Sequence, residues 1–141
     1  MTWIFFALLS ALFASLVAIF GKIGLTHLDT TLATTVRAVV MASFLLVVAL
    51  FLGKINIASL SNMSGKEWMW IILAGVAGAL SWLCYFFALK YGDASAVAAL
   101  DRLSVVFVIL LAALFLGETL SWASVLGGLL ILGGAILVVL F

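Results

Sequence analysis

Hydrophobic residues run through the chain in five long stretches, separated by short groups of polar residues. The stretches cover residues 3–20, 32–52, 68–89, 94–116 and 120–141. Each has about 18–23 residues, the length that an α-helix needs to cross a bilayer. Lipid-facing β-strands would alternate apolar and polar residues, which these stretches do not do. The pattern predicts an all-α integral membrane protein with five transmembrane helices in a single domain, residues 1–141.

Polar residues between the stretches indicate where helices begin and how they are joined. Asp29 precedes the second stretch, and Asp93 or Ser95 precedes the fourth, at positions typical of helix N-caps. The longest loop covers residues 53–67. The sequence LGETLSW between the last two stretches predicts a very tight turn. We therefore expect the fourth and fifth helices to be antiparallel neighbours.

Composition excludes several classes of function. The chain is 69% hydrophobic and 8% charged, which leaves no room for a soluble domain. A net charge of +1 without a basic run argues against nucleic-acid binding. The single cysteine, Cys84, predicts neither a disulfide framework nor a metal site, and we expect no cofactor. No spacing typical of catalysis is present, so the chain is predicted not to be an enzyme.

The positive charges do not favour one orientation in the membrane. No Lys or Arg precedes Lys22, so we expect the first stretch to be a membrane helix of the inner (cell) membrane and not a cleaved signal. An odd number of helices puts the termini on opposite sides. Lys54 and Lys66 then balance Lys22 and Lys90, with Arg37 just inside the second helix. Either other features fix the orientation, or the chain inserts both ways and forms antiparallel pairs, equivalent to the inverted repeats of transporters.

Two adjacent charges, Asp101 and Arg102, lie inside the fourth stretch. Each costs about 2.5–3.5 kcal/mol at the bilayer centre. Neighbouring helical side chains point about 100° apart, so we expect the two not to neutralise each other. Arg37 lies about as deep in the second helix as Asp101 does in the fourth, which allows an Arg37–Asp101 pair. Such a pair either locks helix packing or forms a polar site that contacts substrate or takes a coupling proton.

Small and aromatic residues mark two further helix faces. In the third stretch, Gly75, Gly78, Ser81, Trp82 and Tyr85 are spaced by three or four residues and share one face. The two aromatic residues either wall a pocket for a cation or a flat ligand, or simply pack between helices. The fifth stretch has a face without polar chemistry, predicted to be a helix–helix or dimer contact: Ser124, Gly127, Gly128, Gly134 and Ala135.

The second half of the chain resembles a known family. The segments YFFALKYGDAS, FLGE (residues 115–118) and GGLLILGG, in this order, are similar to the second part of an EamA-type domain of the drug/metabolite transporter superfamily. Most members carry two such domains, ten helices in inverted orientation. The resemblance therefore implies that this one-domain chain is half-size and dimerises, most simply as an antiparallel homodimer.

The resemblance also implies a function. Family members export or exchange small metabolites through a central cavity. We therefore expect a transporter of small metabolites or drug-like solutes that works by alternating access, with Arg37, Asp101 and Arg102 setting the polarity of the cavity. The alternatives are a dual-topology ion channel and a non-transporting membrane subunit. This chain lacks the proline that members often have near the start of the fourth helix, so we do not expect a proline kink there.

Overall fold

A computed structural model describes residues 2–55 and 63–141. Every regular element in these ranges is a helix: α1 Thr2–Gly24, α2 Thr30–Phe51, α3 Gly65–Tyr91, α4 Ala94–Asp101, α5 Ser104–Phe115 and α6 Trp122–Leu140. With α4 and α5 taken as one span, five helices in the described residues are long and apolar enough to cross a membrane. The predicted all-α fold with five spans is confirmed. Part of the predicted loop 53–67, residues 56–62, lies outside the described residues.

The helix boundaries follow from capping chemistry. The Asp29 carboxylate accepts hydrogen bonds from the N–H groups of Thr31 (2.9 Å) and Leu32 (3.0 Å), which confirms it as the N-cap of α2. Asp93 occupies the equivalent position before α4, but its side chain makes no capping hydrogen bond. Ser121 caps α6 by accepting from the Ser124 N–H at 3.0 Å.

The ends of the predicted loop and turn are also defined locally. At the start of α3, Ser64 and Glu67 form a reciprocal capping box: the Ser64 N–H donates to the Glu67 carboxylate at 2.7 Å, and the Glu67 N–H donates to the Ser64 hydroxyl at 3.3 Å. Gly53 follows α2 at φ 61°, and Gly117 of the FLGE segment follows α5 at φ 67°. Glycine adopts this left-handed conformation without steric cost, and both helices end there.

The fourth span is interrupted, contrary to the single continuous helix predicted over residues 94–116. The N–H groups of Arg102, Leu103, Val105 and Val106 each donate to the carbonyl three residues back, at 2.9–3.2 Å. This is the tighter 3₁₀ pattern, and it separates α4 from α5. The backbone angles of Arg102 and Leu103 stay in the right-handed helical region, so the interruption needs neither proline nor glycine.

The chain divides into two compact units. One comprises Met1–Ile23 and Tyr91–Phe141, and the other comprises Gly24–Lys90. In the first unit, α6 packs against both α4 and α5, and the Lys22 ammonium donates to the Gly92 carbonyl at 2.7 Å. In the second unit, the Lys90 ammonium donates to the Leu28 carbonyl at 3.2 Å. Each lysine lies in the last turn of its helix, where the helix dipole also favours a positive charge.

Large apolar side chains are exposed along every span. Among them, Trp3 on α1 is 72% exposed, Phe44 on α2 66% and Leu130 on α6 68%. A helix in lipid has no hydrophobic reason to bury such side chains against other helices, because lipid tails are equally apolar. Apolar faces exposed on this scale fit contact with lipid or with another chain in the membrane.

Candidate functional site

Arg37 lies against the face of Trp82. The guanidinium carbon of Arg37 on α2 is 3.6 Å from the centre of the Trp82 ring on α3, within the range of a cation–π interaction. Both side chains are half-buried. The side chain over Trp82 is therefore a cation of the protein itself. That Trp82 and Tyr85 wall a ligand pocket stays a prediction. The two residues were singled out separately by the sequence, and the structure brings them together.

Tyr85 and Phe86 complete an aromatic cluster around this contact. The Trp82 ring meets Tyr85 edge-on at 5.4 Å and Phe86 edge-on at 6.0 Å, centre to centre. Phe86 is buried, and its ring centre is 5.6 Å from the Arg37 guanidinium carbon. Phe86 was not predicted from the sequence, although its spacing of four residues from Trp82 puts it on the same helix face. Ser81 is exposed beside the cluster.

The glycines of the same helix do not serve helix packing within the described residues. A Cβ atom built on Gly75 or Gly78 would meet no atom within 4 Å in residues 2–55 and 63–141. The contacts that the structure describes on the predicted face are therefore those of the aromatic cluster. The small residues above it leave space beside α3.

Asp101 and Arg102 lie at the interruption of the fourth span. The Asp101 Oδ2 and Arg102 Nη1 atoms are 3.9 Å apart, a loose ion pair that is too long for a hydrogen bond. At this distance Arg102 donates no hydrogen bond to the carboxylate, and the expectation that the two charges do not neutralise each other stays a prediction. Their side chains are still 42% and 51% exposed. Both therefore remain available to a ligand or to another chain.

Arg37 and Asp101 belong to different units of the chain, and their pairing stays a prediction. In the described residues, no three His, Cys, Asp or Glu side chains lie close enough together to hold a metal ion. The functional candidates thus fall into two groups, one in each unit. One is the arginine–aromatic cluster of Gly24–Lys90, and the other is the charged pair at the helix interruption.

The small residues of α6 divide into two faces. Gly128 and Ala135 are buried, and a Cβ on Gly128 would lie 3.6 Å from Ile109 on α5. Ser124 lines an apolar cavity of about 190 Å³ between α5 and α6. A Cβ on Gly127 or Gly134 would meet nothing within 4 Å in the described residues. Gly128, Ala135 and Ser124 therefore lie on the side of α6 that faces its own chain. Gly127 and Gly134 face outward.

Comparison with known proteins identifies the family. Residues 1–140 match the EamA-like transporter family. The chain belongs to the EamA-like transporter family. A Sinorhizobium protein described as "Uncharacterized transporter in cobO 3'region" is 41% identical over 140 residues, which are 99% of this chain and 98% of that protein. The pseudopaline exporter CntI of Pseudomonas aeruginosa is 38% identical over 69 residues, 49% of this chain and 24% of CntI. No solved structure matches the chain.

Family membership confirms the resemblance drawn from the second half of the chain and extends it over nearly all residues. Together with five spans, it makes the chain a multi-pass membrane protein of a transporter family. The two relatives differ in size relative to this chain. The Sinorhizobium transporter is matched nearly end to end, whereas CntI is about twice as long, since the same 69 residues are 49% of this chain and 24% of CntI.

Proposed function

We propose that the chain exports or exchanges small metabolites or drug-like solutes across the inner (cell) membrane, by alternating access, as an antiparallel homodimer. The observation that carries the proposal is the interruption of the fourth span beside Asp101 and Arg102, in a chain of a transporter family. A short 3₁₀ stretch inside a longer helix often marks a functional hinge, and membrane transporters commonly place substrate and coupling-ion sites where a transmembrane helix departs from regular α-helical form. At about 1.5 Å per residue, Asp101 lies roughly 10 Å along the span from its first residue.

The charges at the interruption suit such a role. Ionisable side chains within membrane spans are costly and usually face a cavity or a partner. The loose contact between Asp101 and Arg102, 3.9 Å, leaves the carboxylate oxygens of Asp101 with little compensation from Arg102. A hydrogen-bonding group of the substrate, or a proton bound to Asp101, would compensate the carboxylate charge that Arg102 leaves largely uncompensated. We therefore assign Asp101 the coupling or substrate role and Arg102 a part in setting the polarity around it.

Three observations support the antiparallel homodimer. The loop lysines are balanced between the two sides, so the positive-inside rule does not select one orientation. CntI is about twice as long as this chain, which fits two copies of a five-helix domain. The outward face of α6 presents Gly127 and Gly134 one above the other, where a second helix can approach closely. Two oppositely inserted copies would reproduce an inverted repeat.

Transport by the purified protein tests the proposal. The homodimer is reconstituted in liposomes and tested for uptake of radiolabelled amino acids, nucleosides and organic acids, with empty liposomes as the blank. We expect saturable uptake of at least one class that is accelerated by unlabelled solute on the opposite side. Ion currents without saturation would point to a channel, and no flux of any kind would point to a non-transporting subunit.

A matched pair of variants ties the transport to the interruption. Asp101→Asn is expected to abolish transport while membrane insertion and dimerisation are retained. Asp93→Asn makes the same chemical change at the start of α4, where the side chain caps nothing, and should transport normally. If Asp101→Asn instead prevents assembly, the carboxylate has a structural role, and the proposed coupling site is wrong.

A further inference from the structure

Arg37 is a membrane-embedded charge that contacts aromatic rings and no carboxylate among the described residues of its own unit. It lies about 10 Å along α2 from Thr30. The unit Gly24–Lys90 contains two described carboxylates, and both are engaged elsewhere. Asp29 caps α2, and Glu67 accepts hydrogen bonds from Ser64 at 2.7 and 2.9 Å. Within the described residues of this unit, Arg37 therefore has aromatic partners and no acidic one.

The aromatic contact engages the charge of Arg37 but not its hydrogen-bonding capacity. A guanidinium carries five N–H donors in a rigid, planar fork that matches the two oxygens of a carboxylate or phosphate. The Trp82 ring at 3.6 Å attracts the positive charge through its π-face. It offers no lone pair for the donors, because the indole N–H is itself a donor. The contact thus fixes the guanidinium in place and leaves its fork for an acceptor.

The same contact disfavours a cation and favours an anion. A second cation at this face would meet the Arg37 charge already held there. An oxyanion would instead gain charge-assisted hydrogen bonds from a guanidinium that Trp82 and Phe86 hold in position. The half-buried ring of Tyr85, packed edge-on against Trp82, adds an apolar surface beside the charge. The site thus combines one guanidinium group, held in a fixed position, with the aromatic rings beside it.

We propose that Arg37 binds the carboxylate or phosphate group of an organic anion and that the aromatic cluster packs against the apolar body of the same ligand. The inference rests on the proposed function, because it names the chemical class of the transported solute. Both a free solute and a lipid headgroup present such an oxyanion. We assign the site to the free solute, because the adjoining rings offer a surface for a compact apolar group.

Three probes of the same shape and different charge test this site. Benzoate, benzamide and benzamidinium share one ring and carry a charge of −1, 0 and +1. Their binding to the purified protein in uncharged maltoside detergent is measured by equilibrium dialysis, which requires no transport. Benzoate offers the guanidinium a full negative charge and two acceptor oxygens, whereas benzamide offers one neutral carbonyl, so we expect benzoate to bind about tenfold more tightly than benzamide. Benzamidinium should bind most weakly.

Variants identify the arginine as the cause of this preference. Arg37→Gln should remove the preference for benzoate over benzamide, because benzoate loses its ion pair with the guanidinium and benzamide loses only a hydrogen bond to it. Lys54→Gln removes one positive charge from the same unit outside α2 and should keep the preference. If Arg37→Gln fails to fold, Arg37→Lys provides the test, because lysine retains the positive charge but not the planar fork of donors. This variant should still prefer benzoate to benzamidinium. Its affinity for benzoate should be several-fold lower than that of the wild type. Equal binding of all three probes to the wild type would overturn the proposal.

Two further measurements separate the competing occupants of Arg37. In nanodiscs of phosphatidylglycerol, benzoate binding should persist; its loss there, with binding in detergent intact, would assign the site to lipid phosphate and overturn the free-solute assignment. A benzoate preference that appears only in Asp101→Asn would show that Asp101 occupies the fork. A protein that transports other solutes but shows no benzoate preference would refute this inference alone, whereas benzoate binding without any transport would refute the proposed function alone.

Discussion

The contact between Arg37 and Trp82 makes a quantitative prediction about stability. Cation–π pairs contribute about 0.5–1 kcal/mol at exposed sites and about 2 kcal/mol when desolvated. This pair is half-buried within two membrane spans, with the guanidinium carbon 3.6 Å from the ring centre. We therefore expect a coupling free energy of about 1–2 kcal/mol, a change of roughly 5–30-fold in the folding equilibrium.

A double-mutant cycle isolates this coupling. The wild type, Arg37→Gln, Trp82→Leu and the double variant are unfolded reversibly in mixed micelles, and the loss of helix is followed by circular dichroism. The free energies of unfolding are then combined so that effects of each single substitution cancel. Phe86 lies farther from the guanidinium carbon, at 5.6 Å. Its coupling with Arg37 should therefore be smaller than that of Trp82.

A second cycle provides the control. Trp68 lies on the same helix as Trp82, fourteen residues earlier, or about 21 Å along the axis. Substitutions at Trp68 and Arg37 should therefore be additive to within about 0.3–0.5 kcal/mol. If the Arg37–Trp82 cycle were equally additive, the ring would not hold the guanidinium. The site proposed on α2 and α3 would then lose its geometric basis.

Three further predictions concern helix ends and helix faces. Asp29→Ala removes an N-cap with two hydrogen bonds and should lower the free energy of unfolding by about 0.5–2 kcal/mol, whereas Asp93→Ala, which removes no capping bond, should change it little. Gly134→Leu should weaken the dimer at least about tenfold in sedimentation or FRET, whereas Gly133→Leu, about 100° away around α6, should not. Gly128→Ala should retain the dimer and the fold, since its new Cβ would lie at an ordinary contact distance, 3.6 Å, from the nearest side chain.

Much of the fold was predictable because membrane spans follow from simple rules. Five spans could be read from the lengths of the apolar stretches, since backbone groups in lipid must be satisfied within a helix. The cap at Asp29 and the glycine at the end of α5 were recognisable because helix ends favour particular residue types. These features depend on a few neighbouring residues. The helix interruption at Arg102 could not be predicted in this way, because neither proline nor glycine marks it in the sequence. It is recognised only by the four short-range hydrogen bonds that the structure shows there.

The sequence indicated which residues belong to the candidate site but not which of them contact one another. An arginine inside a span and an aromatic face on another span are visible as departures from the apolar pattern. Which of them meet depends on the rotation of each helix, and apolar helices surrounded by lipid carry little periodicity that reports it. Arg37 was therefore matched with Asp101 at similar depth, a pairing that stays a prediction, and its contact with Trp82 was not foreseen. Phe86 was overlooked because one more phenylalanine in an apolar span carries no signal of its own.

The central claim is that the functional protein consists of two copies inserted in opposite orientations. The most direct test fuses the C-terminus, beyond Phe141, to two reporters, one active only on the cytoplasmic side and one active only on the other side. We expect substantial activity from both fusions, together with crosslinks between copies of opposite orientation. Activity from one reporter alone would contradict the antiparallel homodimer and direct the search to a second protein of opposite orientation.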